Sequence, residues 1–198
     1  EINPSSFAEN VDFAIIGDST TVAVGDLDGD GKPDLVAGNV SRKQVSIFKN
    51  VATPGNITSS SFAARVDFNA GSYATSLAIG DLDGDGKPDL TVGGWLTMSV
   101  LRNVAFPGRI LTNSFIASVV YTTGNNSISL AVGDLNSDSK ADLVATQSNS
   151  GLLDILKNKI LIRPATPTNL YASGGDTEIL LNWSPNTEDD LAFYHVYG

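Results

Sequence analysis

Apolar residues in this chain fall in short alternating stretches and never in a helical stripe. Val45-Ser46-Ile47-Phe48 alternates apolar and polar positions, and Ala64-Arg65-Val66-Asp67-Phe68 does so in the opposite phase. A period of two marks half-buried strands. Val22-Ala23-Val24 and Leu35-Val36-Ala37 read as a strand entering and a strand leaving an Asp/Gly-rich loop. Thr53-Pro54-Gly55-Asn56 and Phe106-Pro107-Gly108 supply turn chemistry between such stretches. No window sustains a period of 3.6, so the pattern predicts an all-β chain.

The same pattern recurs along the sequence. VAVGDLDGDGKPDLVAGN begins at Val22, LAIGDLDGDGKPDLTVGG at Leu77 and LAVGDLNSDSKADLVATQ at Leu130. The flanks recur with them: SFAENVDF, SFAARVDF and SFIASVVY before, and VSIFKN, SVLRN and LDILKN after. The repeats span about residues 6–60, 61–113 and 114–159, within a repeat region 1–162. Four short strands per unit of this length predict blade-like sheets of a partial β-propeller. Composition changes at Arg163. Residues 163–198 begin with Pro164-Ala165-Thr166-Pro167, which reads as a linker, and continue as further alternating β-segments without the repeat.

Each repeat carries one dense carboxylate loop. In DLDGDGKPD the acids stand at positions 1, 3, 5 and 9: Asp26, Asp28, Asp30 and Asp34, then Asp81, Asp83, Asp85 and Asp89. Neighbouring carboxylates at about 4 Å repel by roughly 1 kcal/mol per pair in water, and a hard dication reverses that sign. Ca²⁺ takes six to eight oxygens in tolerant geometry, whereas Mg²⁺ demands a near-ideal octahedron and Zn²⁺ prefers the His and Cys missing here. The backbone carbonyl at position 7, from Lys32, Lys87 or Lys140, can add a ligand. Gly29, Gly31, Gly84 and Gly86 permit the tight turn. The loop is not an EF-hand, which needs helices on both sides and Glu at position 12, where Ala37, Val92 and Ala145 stand. In the third loop Asp134, Asp138 and Asp142 remain, but Asn136 replaces an acid and Ser137 and Ser139 replace glycines. Up to three Ca²⁺ sites are therefore expected, the third weaker.

Charge sharpens this picture. The 198 residues hold 22 acids against 12 Lys and Arg, a net charge of −10. The three loops alone contribute −8, through 11 Asp and three Lys. Three bound dications would bring the chain to −4, so the acidity points to a metal. It argues against nucleic acid, which needs a basic partner. No apolar run approaches the roughly 20 residues of a membrane span. With no Cys and a single His, His195, in the C-terminal segment, the sequence offers no catalytic constellation, and an enzyme is not expected of this chain. Asp12 and Asp67 read as strand-surface acids. Trp95 reads either as packing against a neighbouring blade or as an aromatic platform for sugar or protein. Sequons at Asn39, Asn56, Asn125 and Asn182 read as chance in an Asn/Ser-rich chain.

The run Ala23-Val24-Gly25-Asp26-Leu27-Asp28-Gly29-Asp30-Gly31-Lys32-Pro33-Asp34-Leu35 and its two copies resemble the FG-GAP or VCBS-type repeat, the unit of the integrin α-subunit β-propeller and of many secreted bacterial proteins. The resemblance implies loops joining the first two strands of each blade and binding Ca²⁺ through positions 1, 3, 5, 7 and 9. Residues Leu170, Ile179, Leu181, Trp183, Tyr194 and Val196 resemble the early core of a fibronectin type III domain, truncated here. Together the resemblances imply an extracellular or cell-surface module for adhesion or for binding a protein or glycan. The alternative is a non-catalytic accessory module of a secreted, polysaccharide-acting enzyme. Three blades also leave open edges, so pairing with further repeats or with other copies is expected to complete a propeller.

Overall fold

A computed structural model of the chain describes residues 2–116, 119–123, 127–148, 151–160, 168–174 and 179–184. They form two compact units, Glu1–Asn158 and Lys159–Gly198. The first unit is all-β apart from one 3₁₀ turn at Pro4–Ser6. Among the described residues no helix is long and apolar enough to cross a membrane.

Three antiparallel sheets build the first unit, each a simple up-and-down meander. The first sheet runs β1 (Ser19–Gly25), β2 (Asp34–Asn39), β3 (Gln44–Phe48) and β4 (Val66–Asn69). The second runs β5 (Ser76–Gly80), β6 (Asp89–Gly93), β7 (Thr97–Leu101) and β8 (Val119–Thr122). The third contains β9 (Ser127–Gly133), β10 (Asp142–Gln147) and β11 (Leu153–Leu156), three strands among the described residues. Registers repeat from sheet to sheet. Gly25 pairs with Asp34, Gly80 with Asp89 and Gly133 with Asp142, so the same rung closes the base of all three acidic loops.

The sheets are out of phase with the sequence repeats. β4 pairs with β3 through Ser46–Asp67 and Val45–Phe68, although its residues lie past the boundary near residue 60. β8 joins the second sheet from beyond residue 113 in the same way. The second and third sequence units therefore each open with the outer strand of the preceding sheet. The segment equivalent to β4 in the first unit is Val11-Asp12-Phe13-Ala14, which lies outside every strand.

Adjacent sheets pack face to face, with β1 against β5 and β5 against β9. Between the first two sheets a core forms from Val36, Val45 and Ile47 on one side and Leu77, Leu90, Val92 and Leu101 on the other, with Phe68 edge-to-face on Phe115 at 5.1 Å. A smaller cluster of Leu82, Met98 and Leu143 joins the second sheet to the third. Close approach depends on a glycine at the end of each inner strand. A Cβ on Gly25 would lie 3.2 Å from Ile79, and one on Gly80 would lie 2.4 Å from Val132 Cγ1. The equivalent Gly133 faces nothing within 4 Å.

In the second unit β12 (Thr168–Gly174) and β13 (Ile179–Ser184) form an antiparallel hairpin. Tyr194, His195 and Val196 lie outside the described residues, as does the sequon at Asn125. Asn39 is buried, and its side-chain oxygen accepts bonds from the Arg42 amide and Ser41 Oγ, so this sequon presents no acceptor to solvent.

The glycine pattern makes a paired prediction. Gly80→Ala must push Val132 aside and should lose about 1–3 kcal/mol. Gly133→Ala adds a methyl in open space at an ordinary backbone conformation and should stay within about 0.5 kcal/mol of the parent. Denaturant melts of the two variants measure the difference; equal losses would remove the intersheet role of Gly80.

Candidate metal centre

Each acidic loop leaves one inner strand and returns along the next, held by its own side chains. Asp26 caps the loop: its Oδ1 accepts the amide of Gly29 at 2.8 Å and its Oδ2 that of Gly31 at 2.7 Å. Asp81 does the same for Gly84 and Gly86, both at 2.8 Å. Asp134 does it for Ser137 at 2.7 Å and Ser139 at 2.9 Å. Asp30 and Asp85 then each accept the amide two residues on, from Lys32 and Lys87, at 3.0 Å, as Asp138 does from Lys140 at 3.1 Å. These local bonds are the reason short polar side chains alternate along the loop.

The ninth-position aspartate locks the loop to the sheet. Asp34, fully buried, accepts the Leu27 amide on one oxygen at 3.0 Å and the Asn50 amide on the other at 2.8 Å. Asp89 holds Leu82 and Asn103, and Asp142 holds Leu135 and Asn158, with the same pattern. One carboxylate thus joins the start of the loop to the residue following the third strand. Burial pushes the Asp34 carboxyl above its usual value, against the pull of its two backbone donors. For Asp89 burial raises it to about 6, and the nearby charges of Asp83 and Asp85 push the same way.

The structure brings carboxylate oxygens of Asp26, Asp28 and Asp34 within 4.8 Å of one another, and likewise those of Asp81, Asp83 and Asp85. These two clusters can hold a metal ion, and their donors are all oxygens, the chemistry of a hard cation. Asp30 and Asp89 stand outside these groups, and Asp134, Asp138 and Asp142 form no such group. Lys32 contributes its amide to Asp30, and its ammonium reaches Ala52 O at 3.1 Å.

Sequence reading missed one component. A cation from the end of the third strand faces every loop: Lys49 bonds Asp28 and Asp30, Arg102 bonds Asp83 and Asp85, and Lys157 bonds Asp138 at 3.1 Å. The hydrogen bond from Lys49 lowers the Asp30 pKa, and that from Lys157 lowers Asp138. Burial works against the charge on Lys49, but Asp28 and Asp30 outweigh it and raise its pKa. The signal was present in the repeated Lys49-Asn50, Arg102-Asn103 and Lys157-Asn158.

Among the other singled-out residues, Trp95 is 51% exposed and stacks on Tyr73 at 4.5 Å, while Lys43 Nζ lies 4.3 Å from the Tyr73 ring centre. It forms an open aromatic face and not a buried intersheet contact. Asp67 accepts Ser46 Oγ at 2.6 Å and pairs with Arg65, and the exposed Asp12 accepts Asn10.

The third loop keeps the backbone of the other two at a cost. Ser137 and Ser139 adopt φ of 63° and 62°, where the first loop has Gly29 and Gly31 at 70° and 84°. Left-handed conformations cost a side-chain-bearing residue roughly 1–2 kcal/mol. Ser137→Gly/Ser139→Gly should therefore stabilise the chain by about 1 kcal/mol after the extra unfolded-state entropy of glycine. A denaturant melt showing no gain would remove the strain.

Asp89 sets a pH dependence. Folded Asp89 takes up its proton below about pH 6, whereas the unfolded chain does so only near its ordinary value. Between these values the folded state binds more protons, so metal-free stability rises as pH falls from 7 toward 5. The burial-raised Asp34 acts in the same direction. The lowered groups Asp30 and Asp138 oppose it only at still lower pH. In chelator the melting midpoint should climb by several degrees between pH 7 and pH 5; a fall over that window would contradict the buried aspartates' role.

Comparison with known proteins agrees with this geometry. No curated protein matches the chain. A family model described as FG-GAP-like repeat matches residues 26–92, from the first loop aspartate through the whole second loop into β6. Residues 26–92 are thus similar to an FG-GAP-like repeat, in a chain whose described residues are β-rich.

Proposed function

We propose that this chain is a calcium-binding extracellular or cell-surface module of β-propeller type, serving adhesion or the binding of a protein or glycan, with Ca²⁺ acting structurally in each repeat. The convergence of three carboxylates in each of two loops, Asp26, Asp28 and Asp34 in the first and Asp81, Asp83 and Asp85 in the second, carries the reading. FG-GAP-like repeats are typical of extracellular proteins and typically non-catalytic.

Oxygen donors without nitrogen or sulfur suit Ca²⁺, whose irregular coordination tolerates a loop already fixed by its own hydrogen bonds. Asp26, Asp28 and Asp34 would hold it in the first loop, Asp81, Asp83 and Asp85 in the second, with Asp30, Asp89 and the carbonyls of Lys32 and Lys87 as further donors. In the third loop Asp134, Asn136, Asp138, Asp142 and the Lys140 carbonyl would form a weaker site, since one charge is lost. Bound there, the ion would supply positive charge to acids that otherwise repel one another. The open face of Trp95 on Tyr73 supports a ligand-binding role, because exposed aromatic rings serve as anchors for partners.

The test is a thermal melt in Ca²⁺ and in chelator. Extracellular modules bind with dissociation constants of about 10⁻⁴–10⁻³ M, and a tenfold excess adds roughly 1.4 kcal/mol per site. Two to three sites should raise the midpoint by roughly 10 °C, a shift that Asp26→Asn and Asp81→Asn each reduce. An unchanged midpoint in millimolar Ca²⁺ would sink the reading.

A further inference from the structure

In every acidic loop the backbone and the basic residue beyond the third strand divide the carboxylate oxygens in one repeated way. Asp28 Oδ1 accepts the Asp30 amide at 3.3 Å, and Asp30 Oδ1 accepts the Lys32 amide at 3.0 Å. The other oxygen of each, Oδ2, is taken by Lys49 Nζ. In the second loop Asp83 Oδ1 accepts the Asp85 amide at 3.3 Å, and Asp85 Oδ1 accepts the Lys87 amide at 3.0 Å. Both Oδ2 atoms there are taken by Arg102, one through Nε and one through Nη2. In the third loop Asp138 Oδ1 accepts the Lys140 amide, and its Oδ2 meets Lys157 Nζ at 3.1 Å. The oxygens that the loop backbone leaves over at the third and fifth positions are the ones that the chain's own cations hold.

These cations are fixed at the backbone and free at the tip. The next residues, Asn50, Asn103 and Asn158, lend their amides to the buried Asp34, Asp89 and Asp142. Each basic residue is therefore anchored beside its loop whatever its side chain does. The side chains themselves reach toward water: those of Arg102 and Lys157 are 50% and 58% exposed, and that of Lys49 is 19% exposed. A long stem of this kind can carry its charge into solvent while its strand stays in place. The Asp28 side chain, by contrast, is fully buried. A carboxylate so placed needs a counter-charge, from the chain or from a metal.

We propose that Lys49 and Arg102 are tethered place-holders for the metal. In the metal-free chain each occupies the third- and fifth-position oxygens that Ca²⁺ would use, and binding is an exchange in which the ammonium or guanidinium swings out. The proposal rests on the calcium reading above and adds what sets the affinity of those sites. A dication on the same two oxygens would stand close to the side-chain charge, and like charges that close repel. The cation-held loop is thus a form that does not bind metal. It lowers the apparent Ca²⁺ affinity by the fraction of chains in which the oxygens are free. A monovalent ion brings no more charge than the side chain it must displace, so the exchange favours a dication. In the third loop Lys157 holds a single acid, because Asn136 stands at the third position.

Calorimetric titration of Ca²⁺ into the parent, Lys49→Met and Arg102→Met tests the exchange. Methionine keeps an apolar stem and removes the charge. Each variant should bind Ca²⁺ at its own site roughly three- to tenfold more tightly, because no competitor remains. Lys49→Arg keeps the charge and should bind as the parent does. In chelator Lys49→Met should melt below the parent, since buried Asp28 loses its partner. Arg102 is half exposed, so Arg102→Met stays folded without metal and carries the test alone if Lys49→Met does not. Lysine acylation read by mass spectrometry follows the side chain itself. Lys49 should react several-fold faster in millimolar Ca²⁺ than in chelator, while Lys43, in the turn at the far end of the sheet, keeps its rate. Ca²⁺ bound by the parent, with equal or weaker affinity in Arg102→Met or in a folded Lys49→Met, overturns the proposal and leaves the calcium reading standing. So does Lys49 acylation that Ca²⁺ slows or leaves unchanged. No Ca²⁺ binding by the parent or by either variant overturns the calcium reading, and the proposal with it.

Discussion

Each sheet of the repeat unit hangs on one buried carboxylate. Asp34, Asp89 and Asp142 each accept two backbone amides, one at the mouth of the acidic loop and one just beyond the third strand. Hydrogen bonds to an ionised acceptor are stronger than neutral ones, and an amide left unpaired there would carry the full desolvation cost. At Asp34 and Asp89 the same burial disfavours the charge. The repeat therefore places a group that wants neutralisation at the base of a loop full of further acids.

Basic residues of the chain meet part of that demand, and the proposed Ca²⁺ would meet the rest. Lys49, Arg102 and Lys157 each lie against acids at the third or fifth loop position, supplying positive charge from within the chain. Such partly exposed pairs contribute little by themselves in water. A dication held by oxygens from several positions supplies more charge at closer range. The basic residues can be understood as holding the metal-free loop near its folded shape while repulsion among the acids keeps it receptive. The third loop follows this plan with fewer acids and with serines in left-handed conformations.

Loop and intersheet packing are one construction. Asn103 both caps Asp89 through its amide and reaches Leu27 O through its side chain, so the loop of one sheet is tied to the third strand of the next. Leu27 is buried in that same junction. Ordering a loop thereby orders a sheet boundary, which would couple the proposed metal site to the stacking of repeats.

The sequence alone determined the all-β class, the threefold repeat and the acids, because period-two alternation and DLDGDGKPD are local patterns whose meaning survives without a fold. It also showed glycines at the turns, since φ near +70° at Gly29 or Gly84 is a local requirement. Tertiary structure decided the rest. A periodic sequence has no intrinsic phase, so only hydrogen bonding assigns β4 to the first sheet and leaves Val11–Ala14 outside every strand. Lys49 and Arg102 gain a role only when strand pairing brings them across some 20 residues to the loop acids. Which of the four loop acids converge is likewise decided by the fold, since the identical loops bring together Asp26, Asp28 and Asp34 in one case and Asp81, Asp83 and Asp85 in the other. Trp95 was ambiguous in one dimension, because burial belongs to the neighbours that the fold supplies, and here that neighbour is Tyr73.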